Sequence, residues 1–334
     1  MVTAEKKKEN ILIHNAFVKK VGTQKAIVLL IIIALFAFFS AASPAFRQYS
    51  TVLSIFDYSY YIAFMAIGVT FALITGGVDL SIGTGLVCYA ITGGYLVVYK
   101  GWPVWLGMAI TILFGLIVGI FNGMLVAIMD LPPFIATLCT MMITRGLGSL
   151  SSGGFGIPWP QAGTEGSWFR SIFKLQIGDT KYPLGFLLVI LAVVIMSFVL
   201  NKTKVGRYII AIGSNKEATR LSGVNVKKYQ ITAYAISGLF AGFAGLAYAA
   251  TFTSINPGTG AGLELDAIGG AIVGGVSTKG GYGSVVGALL GVFVFSLLKT
   301  GLPYIGLQAN WQQILTGLIL VGAVLIDVIK NKTK

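Results

Sequence analysis

The run WLGMAITILFGLIVGIFNGMLVAI, Trp105 to Ile128, holds 24 residues without a charge, and glycine recurs in it at Gly115, Gly119 and Gly123. A helix crossing a bilayer's hydrocarbon core needs about 20 apolar residues, so this run is long enough to span. The glycines add something a solitary span does not need. Spaced at i, i+4, they let a second backbone approach closely, and helices in lipid associate through such packing rather than through hydrophobic drive. One stretch therefore predicts both a membrane and a packed helical bundle.

The rest of the chain agrees. Its 334 residues are 56% hydrophobic and 10% charged, with mean hydropathy +0.85, whereas soluble domains carry about 25% charged residues. Too little charge is present to cover a water-facing surface. Disorder, collagen and a disulfide scaffold fail on apolar content, glycine period and a cysteine count of two, Cys88 and Cys139. Both cysteines lie in apolar stretches and read as small buried hydrophobes. The net charge of +13 falls in short clusters between apolar runs, a pattern that orients a membrane protein rather than binding nucleic acid.

Ten spans are expected: Ala26 to Ala42, Tyr58 to Thr75, Ile82 to Tyr99, Trp105 to Ile128, Phe134 to Leu150, Leu184 to Leu200, Ile231 to Phe252, Leu263 to Val276, Val285 to Leu298 and Trp311 to Ile329. The eighth would rise only about 21 Å as a helix, short of the roughly 30 Å core, and reads as broken or re-entrant. With both termini cytoplasmic, 17 of the 24 basic residues face inward, as the positive-inside rule requires. The expected organisation is a basic cytoplasmic leader, residues 1–25, and one transmembrane domain, residues 26–334. Two long connections stand out, an outer loop 151–183 and a basic inner loop 201–230.

Further glycine ladders occur at Gly238, Gly242 and Gly245 and at Gly283, Gly287 and Gly291. Paired glycines also interrupt the helices in GGVDLSIG (Gly76 to Gly83) and GGVSTKGGYG (Gly274 to Gly283), and such breaks often line transport paths. The shared Gly-Gly-Val hints at internal duplication. Neither segment fits a phosphate-binding GxxxxGK[ST] loop.

Ionisable groups near or within spans are costly and default to functional candidates. Asp57, Asp130 and Asp327 fall at expected span ends, where a capping role suffices, and Glu264 and Asp266 open the short eighth segment as macrodipole partners would. Asp79 follows a glycine break and suits a path as well as a structural role. Arg145 lies inside a span whose Thr137, Thr140 and Thr144 recur at near-helical spacing; these hydroxyls either meet a polar solute or bond back to their own helix. With Asn122 and Phe134 they complete the translocation-path candidates. A lone His14 and two distant cysteines make no metal site, and no catalytic constellation is present; an ion-driven transporter using Asp79 or Glu264 is the rival from another class.

In the inner loop, KTKVGRYIIAIGSNKEATRLSGVNVKKYQ (Lys202 to Gln230), Asn215 can cap a short helix from Lys216, with Glu217 in its first turn and Gly223 ending it. The stretch Ala211 to Val226 closely resembles the cytoplasmic loop of bacterial ABC importer permeases of the ribose, galactose and xylose type, with Glu-Ala-x-x-x-x-Gly at Glu217, Ala218 and Gly223. GGVDLSIG, PPFIATL (Pro132 to Leu138) and the run Glu264 to Gly291 match the same family in the same order, over nearly the whole chain. The resemblance implies an all-α polytopic bundle of the type II ABC importer kind in the bacterial inner membrane. It implies no bound cofactor and no enzymatic activity of its own, ATP and Mg being used by a partner ATPase. That ATPase would grip Gly213, Asn215, Glu217, Ala218, Thr219, Arg220 and Gly223, with Thr219 standing where the family usually has alanine. A second permease subunit, a copy of the same chain, and an extracytoplasmic sugar-binding protein would complete the assembly. Nucleosides, branched-chain amino acids and autoinducer-2 are the alternative solutes that resemblance leaves open.

Overall fold

The computed structural model describes residues 22–332 except 162 and 179. The leader, apart from its last four residues, and the terminal Lys334 lie outside the described residues. In chain order come α1 (Thr23–Ala42), α2 (Tyr49–Ile74), α3 (Ile82–Lys100), α4 (Val104–Ala127) and α5 (Pro133–Ser152). A short α6 (Trp168–Ser171) and the two-stranded hairpin β1 (Leu175–Ile177) and β2 (Thr180–Tyr182) follow, with Leu175 paired to Tyr182. Then run α7 (Leu184–Lys202), α8 (Lys204–Ser214), α9 (Lys216–Leu221) and α10 (Val226–Thr251). The chain closes with α11 (Leu263–Val273), α12 (Val285–Gly301) and α13 (Ala309–Lys332).

Each of the ten expected spans contains a helix, and among the described residues eight helices are long and apolar enough to cross a membrane. The eighth segment is a half-helix: α11 has 11 residues, a rise of about 16 Å, and gives way to an irregular turn, Gly274 to Ser284. Helix α2 begins at Tyr49 rather than Tyr58, because its polar residues find partners. The Thr51 hydroxyl bonds Tyr304 Oη at 2.8 Å, and Asp57 pairs with Lys174 at 2.8 Å instead of capping a helix end. Helix α10 begins at Val226 rather than Ile231, since Asn225 accepts the Lys228 amide at 3.0 Å and starts the helix early.

Burial sorts the helices into two layers. In α2, α3 and α10, 67% of the apolar window is buried, and in α12 61%, against 17–28% in α1, α4, α5 and α7; the second group forms the more exposed rim. The glycine ladders are the seams between layers. A methyl group on Gly119 would sit 2.9 Å from Gly238 Cα, and one on Gly242 2.7 Å from Ile112 Cα, so α4 and α10 touch backbone to backbone. Gly287 and Gly291 of α12 meet Gly274 and Gly270 of α11 in the same way.

The ends of the bundle separate cleanly. At one end gather the C-terminal end of α2, helices α8 and α9 and the turn 274–284. Gln24 there donates to the Val273 carbonyl at 3.4 Å, and Asp327 accepts from Thr278 and Tyr282. Both described ends of the chain thus share a side with α8 and α9. At the other end, the Ile157 and Ile255 backbones bridge at 3.0 Å and the outer loop folds over the helix ends.

Candidate functional site

The inner segment is built from local capping signals. Thr203 Oγ1 accepts the Gly206 amide at 3.3 Å and opens α8. A single residue, Asn215, separates α8 from α9; its side chain accepts the Ala218 amide at 2.9 Å, satisfying an otherwise orphaned helix N–H. Helix α9 ends in a Schellman turn, with Gly223 N–H on the Arg220 carbonyl at 3.0 Å and Val224 N–H on the Thr219 carbonyl at 3.4 Å. Gly223 has φ +80°, a conformation that favours glycine. The capped helix foreseen from Asn215 to Gly223 is present, and Lys204–Ser214 forms a second helix beside it.

Helix α9 faces away from the bundle. Glu217 and Arg220 pair at 2.7 Å while each stays 67% exposed, a geometry that contributes only about 0.3–0.5 kcal/mol. Leu221 is 82% exposed. Leu221 escaped the sequence reading because only its direction, not its identity, marks it. Thr219 is buried, its hydroxyl on the Asn215 carbonyl at 2.8 Å, so it points away from the exposed face.

Helix α8 is anchored rather than exposed. Ile209 and Ile212 are buried, and Gly213 packs so tightly that any side chain would overlap the Ile74 carbonyl at the end of α2 and the Gly281 amide. Of the inner-loop candidates, then, Gly213 faces the membrane domain, Asn215 joins the two helices, and Glu217, Ala218 and Arg220 face outward.

Among the path candidates, the structure brings Asp79 and Asn122 together. Asp79 is buried and accepts the Ser81 amide at 3.0 Å, the Ser81 hydroxyl at 2.6 Å, the Ser237 hydroxyl at 2.7 Å and Asn122 Nδ2 at 3.5 Å. Asn122 also donates to Ser81 Oγ at 2.8 Å. The carboxylate so ties the extended segment between α2 and α3 to α4 and α10. Hydrogen bonds of this kind offset the cost of holding a charged group away from water.

Thr137, Thr140 and Thr144 share a buried face of α5 turned toward α3. They bond back to the carbonyls of Pro133 at 2.9 Å, Ala136 at 3.0 Å and Met141 at 3.1 Å, and Thr144 also reaches Thr84 Oγ1 at 2.9 Å. Phe134 lies on the opposite, exposed side of α5, with Met142, Arg145 and Cys139. Cys139 thus departs from the buried role expected of it, while Cys88 keeps that role. At the start of α11, Glu264 folds back to accept the Gly262 amide at 3.0 Å, a local cap. Asp266 is fully buried, ion-paired with Lys299 of α12 and hydrogen-bonded by Tyr58 of α2 at 3.2 Å, a link between three helices that sequence spacing does not reveal.

At the far end, Trp159 plugs into the bundle with its indole N–H on the Ala90 carbonyl at 2.9 Å. Arg170 staples the loop down by donating to the carbonyls of Pro160 at 2.8 Å, Ala250 at 3.0 Å and Phe252 at 3.2 Å. Burial lowers its pKa from the usual guanidinium value. Beside it opens a groove of about 830 Å³ lined by Trp102, Trp105, Trp159, Trp168 and Glu165.

Residues 51–324 match the family described as branched-chain amino acid transport system / permease component. The chain is 35% identical over 310 residues to the ribose import permease protein RbsC of Escherichia coli K12, covering 91% of this chain and 93% of that protein. It is 33% identical over 321 residues to the galactose/methyl galactoside import permease protein MglC of the same strain, covering 92% and 94%. It is 32% identical over 303 residues to the autoinducer 2 import system permease protein LsrC of Yersinia enterocolitica, covering 90% and 81%. No solved structure matches.

Proposed function

The chain belongs to the branched-chain amino acid transport system / permease component family, and on that premise we propose that it is the membrane-spanning subunit of an ATP-driven importer for a monosaccharide. A cytoplasmic ATPase docks on α9, and an extracytoplasmic binding protein delivers the sugar to the opposite end, where the tryptophan-lined groove offers a surface. The termini then lie in the cytoplasm, on the side of α8 and α9. ATP and Mg stay with the ATPase. The chain supplies the path, with Asp79, Asn122, Phe134, Thr137, Thr140 and Thr144 as its candidates.

The observation that carries this reading is α9 itself, a helix of six residues capped at both ends and exposed on the side that holds both described chain ends. So short a helix is marginal on its own, and its caps fix a shape that a partner can grip without ordering it first. Ribose and galactose in the names of two relatives favour a monosaccharide. The three relatives named above are import permeases, which leaves the ion-driven alternative without support.

A second copy of the chain fits the exposed face of α5. Arg145 stands there about 18 Å along the helix, and none of the three ion pairs among the described residues includes it. An arginine facing lipid near mid-membrane costs about 2.5–3.5 kcal/mol on insertion scales; a paired subunit enclosing a water-filled path removes that cost.

The test is ATP-dependent uptake of ribose or galactose by proteoliposomes holding the permease and its ATPase, with the sugar-binding protein supplied on the opposite side. Glu217→Arg or Gly223→Arg is expected to abolish uptake with membrane insertion intact. Unchanged uptake in these variants, or uptake with no ATPase present, overturns the reading.

A further inference from the structure

We propose that the glycine seam formed by Gly213, Ile74 and Gly281 is a rigid strut that carries movement of the docked ATPase into both helix breaks of the membrane domain at once. The proposal rests on the docking of an ATPase at α9. It assigns a transmission role to residues that touch neither the ATPase face nor the solute path.

Three backbones meet at the seam. The Gly281 amide donates to the Ile74 carbonyl at 2.9 Å, and the Ser214 hydroxyl reaches the Gly281 carbonyl at 3.5 Å. Gly213 sits against both partners with no room for a methyl group, and a methyl group on Gly280 would fall 2.7 Å from the Gly76 amide nitrogen. Gly76, Gly280 and Gly281 hold φ of +82°, +87° and +83°, which other residues adopt only with strain. Side chains absorb a displacement by changing rotamer, whereas backbone packed on backbone has no such slack. Only Asn215 separates the anchored α8 from the exposed α9, so a push on α9 arrives at the seam.

From the seam the two breaks diverge. Past Ile74 and Gly76 the chain reaches Asp79, which Asn122 and Ser237 tie to α4 and α10. Before Gly281, Thr278 donates its amide to Asp327 of α13 at 3.0 Å, and after it Tyr282 Oη donates at 2.6 Å. One contact thereby addresses three helices of the bundle that the ATPase does not reach.

The experiment uses the permease–ATPase complex in proteoliposomes, supplied with the sugar-binding protein, with Gly213→Ala and, from the other side of the seam, Gly281→Ala. Coupling between sites typically amounts to about 5- to 150-fold, so sugar import is expected to fall about tenfold or more. ATPase co-purification and ATP hydrolysis are expected to stay within about twofold of wild type. Import near the wild-type rate in either variant overturns the strut, as does loss of the ATPase in parallel with import. Should Gly213→Ala fail to accumulate in the membrane, Gly281→Ala decides by the same criteria. Glu217→Arg, run alongside, separates the two claims. If it retains the ATPase, docking at α9 is overturned and the strut with it; if it loses the ATPase while Gly213→Ala imports normally, the strut alone is overturned.

Discussion

Two Gly-Gly-Val segments interrupt the helices of this chain, and each is held by an aspartate, but the aspartates come from different places. In the first break, Gly76 to Gly83, the acid is Asp79 of the segment itself, 1% exposed and wrapped by donors from Ser81, Asn122 and Ser237. In the second, Gly274 to Gly283, it is Asp327, supplied by α13 and 8% exposed, which takes the Ser277, Thr278 and Tyr282 hydroxyls and the Thr278 amide. The same backbone problem, polar groups freed by a helix break, is solved once by the local motif and once by a remote helix at the bundle's end. The first break should therefore behave as part of the core and the second as a joint between elements.

The largest effect expected from that difference is at Asp79. Asp79→Ala orphans the Ser81 amide and the surrounding hydroxyls in a dry site, and at about 1–3 kcal/mol for each unsatisfied group the total is about 3 kcal/mol or more. Thermal unfolding of the detergent-purified protein measures it, and Asp79→Asn, which keeps the shape, should lose less. Asp327→Ala should cost about 1–2 kcal/mol, since water can replace a carboxylate nearer the surface. Its signature is faster tryptic cleavage after Lys279 with α10 and α4 still protected. Equal losses at the two aspartates would erase the distinction. Smallest is Asn215→Ala, outside both breaks, which removes a helix cap worth about 1 kcal/mol. Hydrogen exchange should quicken in residues 216–222 alone; a change near Asp79 would mean that α9 is not locally closed.

Much of this was legible beforehand because lipid simplifies the code. A backbone with no water to bond must close its hydrogen bonds within a helix, so each of the ten apolar runs marks a helix among the described residues. Glycine spacing marked the seams because nothing else allows such close approach. The α9 helix was readable since its signals, Asn215 and Gly223, act within one turn. Helix starts at Tyr49 and Val226 were missed where polar residues gained partners distant in sequence, Tyr304 and Lys174 for α2, and where Asn225 capped α10 ahead of its basic first turn.

What the amino-acid order determined alone is the class of the molecule, its spans, its small-residue seams and its short capped helix, all products of interactions between neighbours or of transfer from water to lipid. Only the tertiary structure decided that three threonines turn inward on α5, that Arg145 turns outward, that Asp327 rather than a local acid closes the second break, and that Gly213 rests on Ile74 and Gly281. Those facts depend on which faces of separate helices meet. A residue's type limits what it can bond, but the partner is chosen by packing across the bundle.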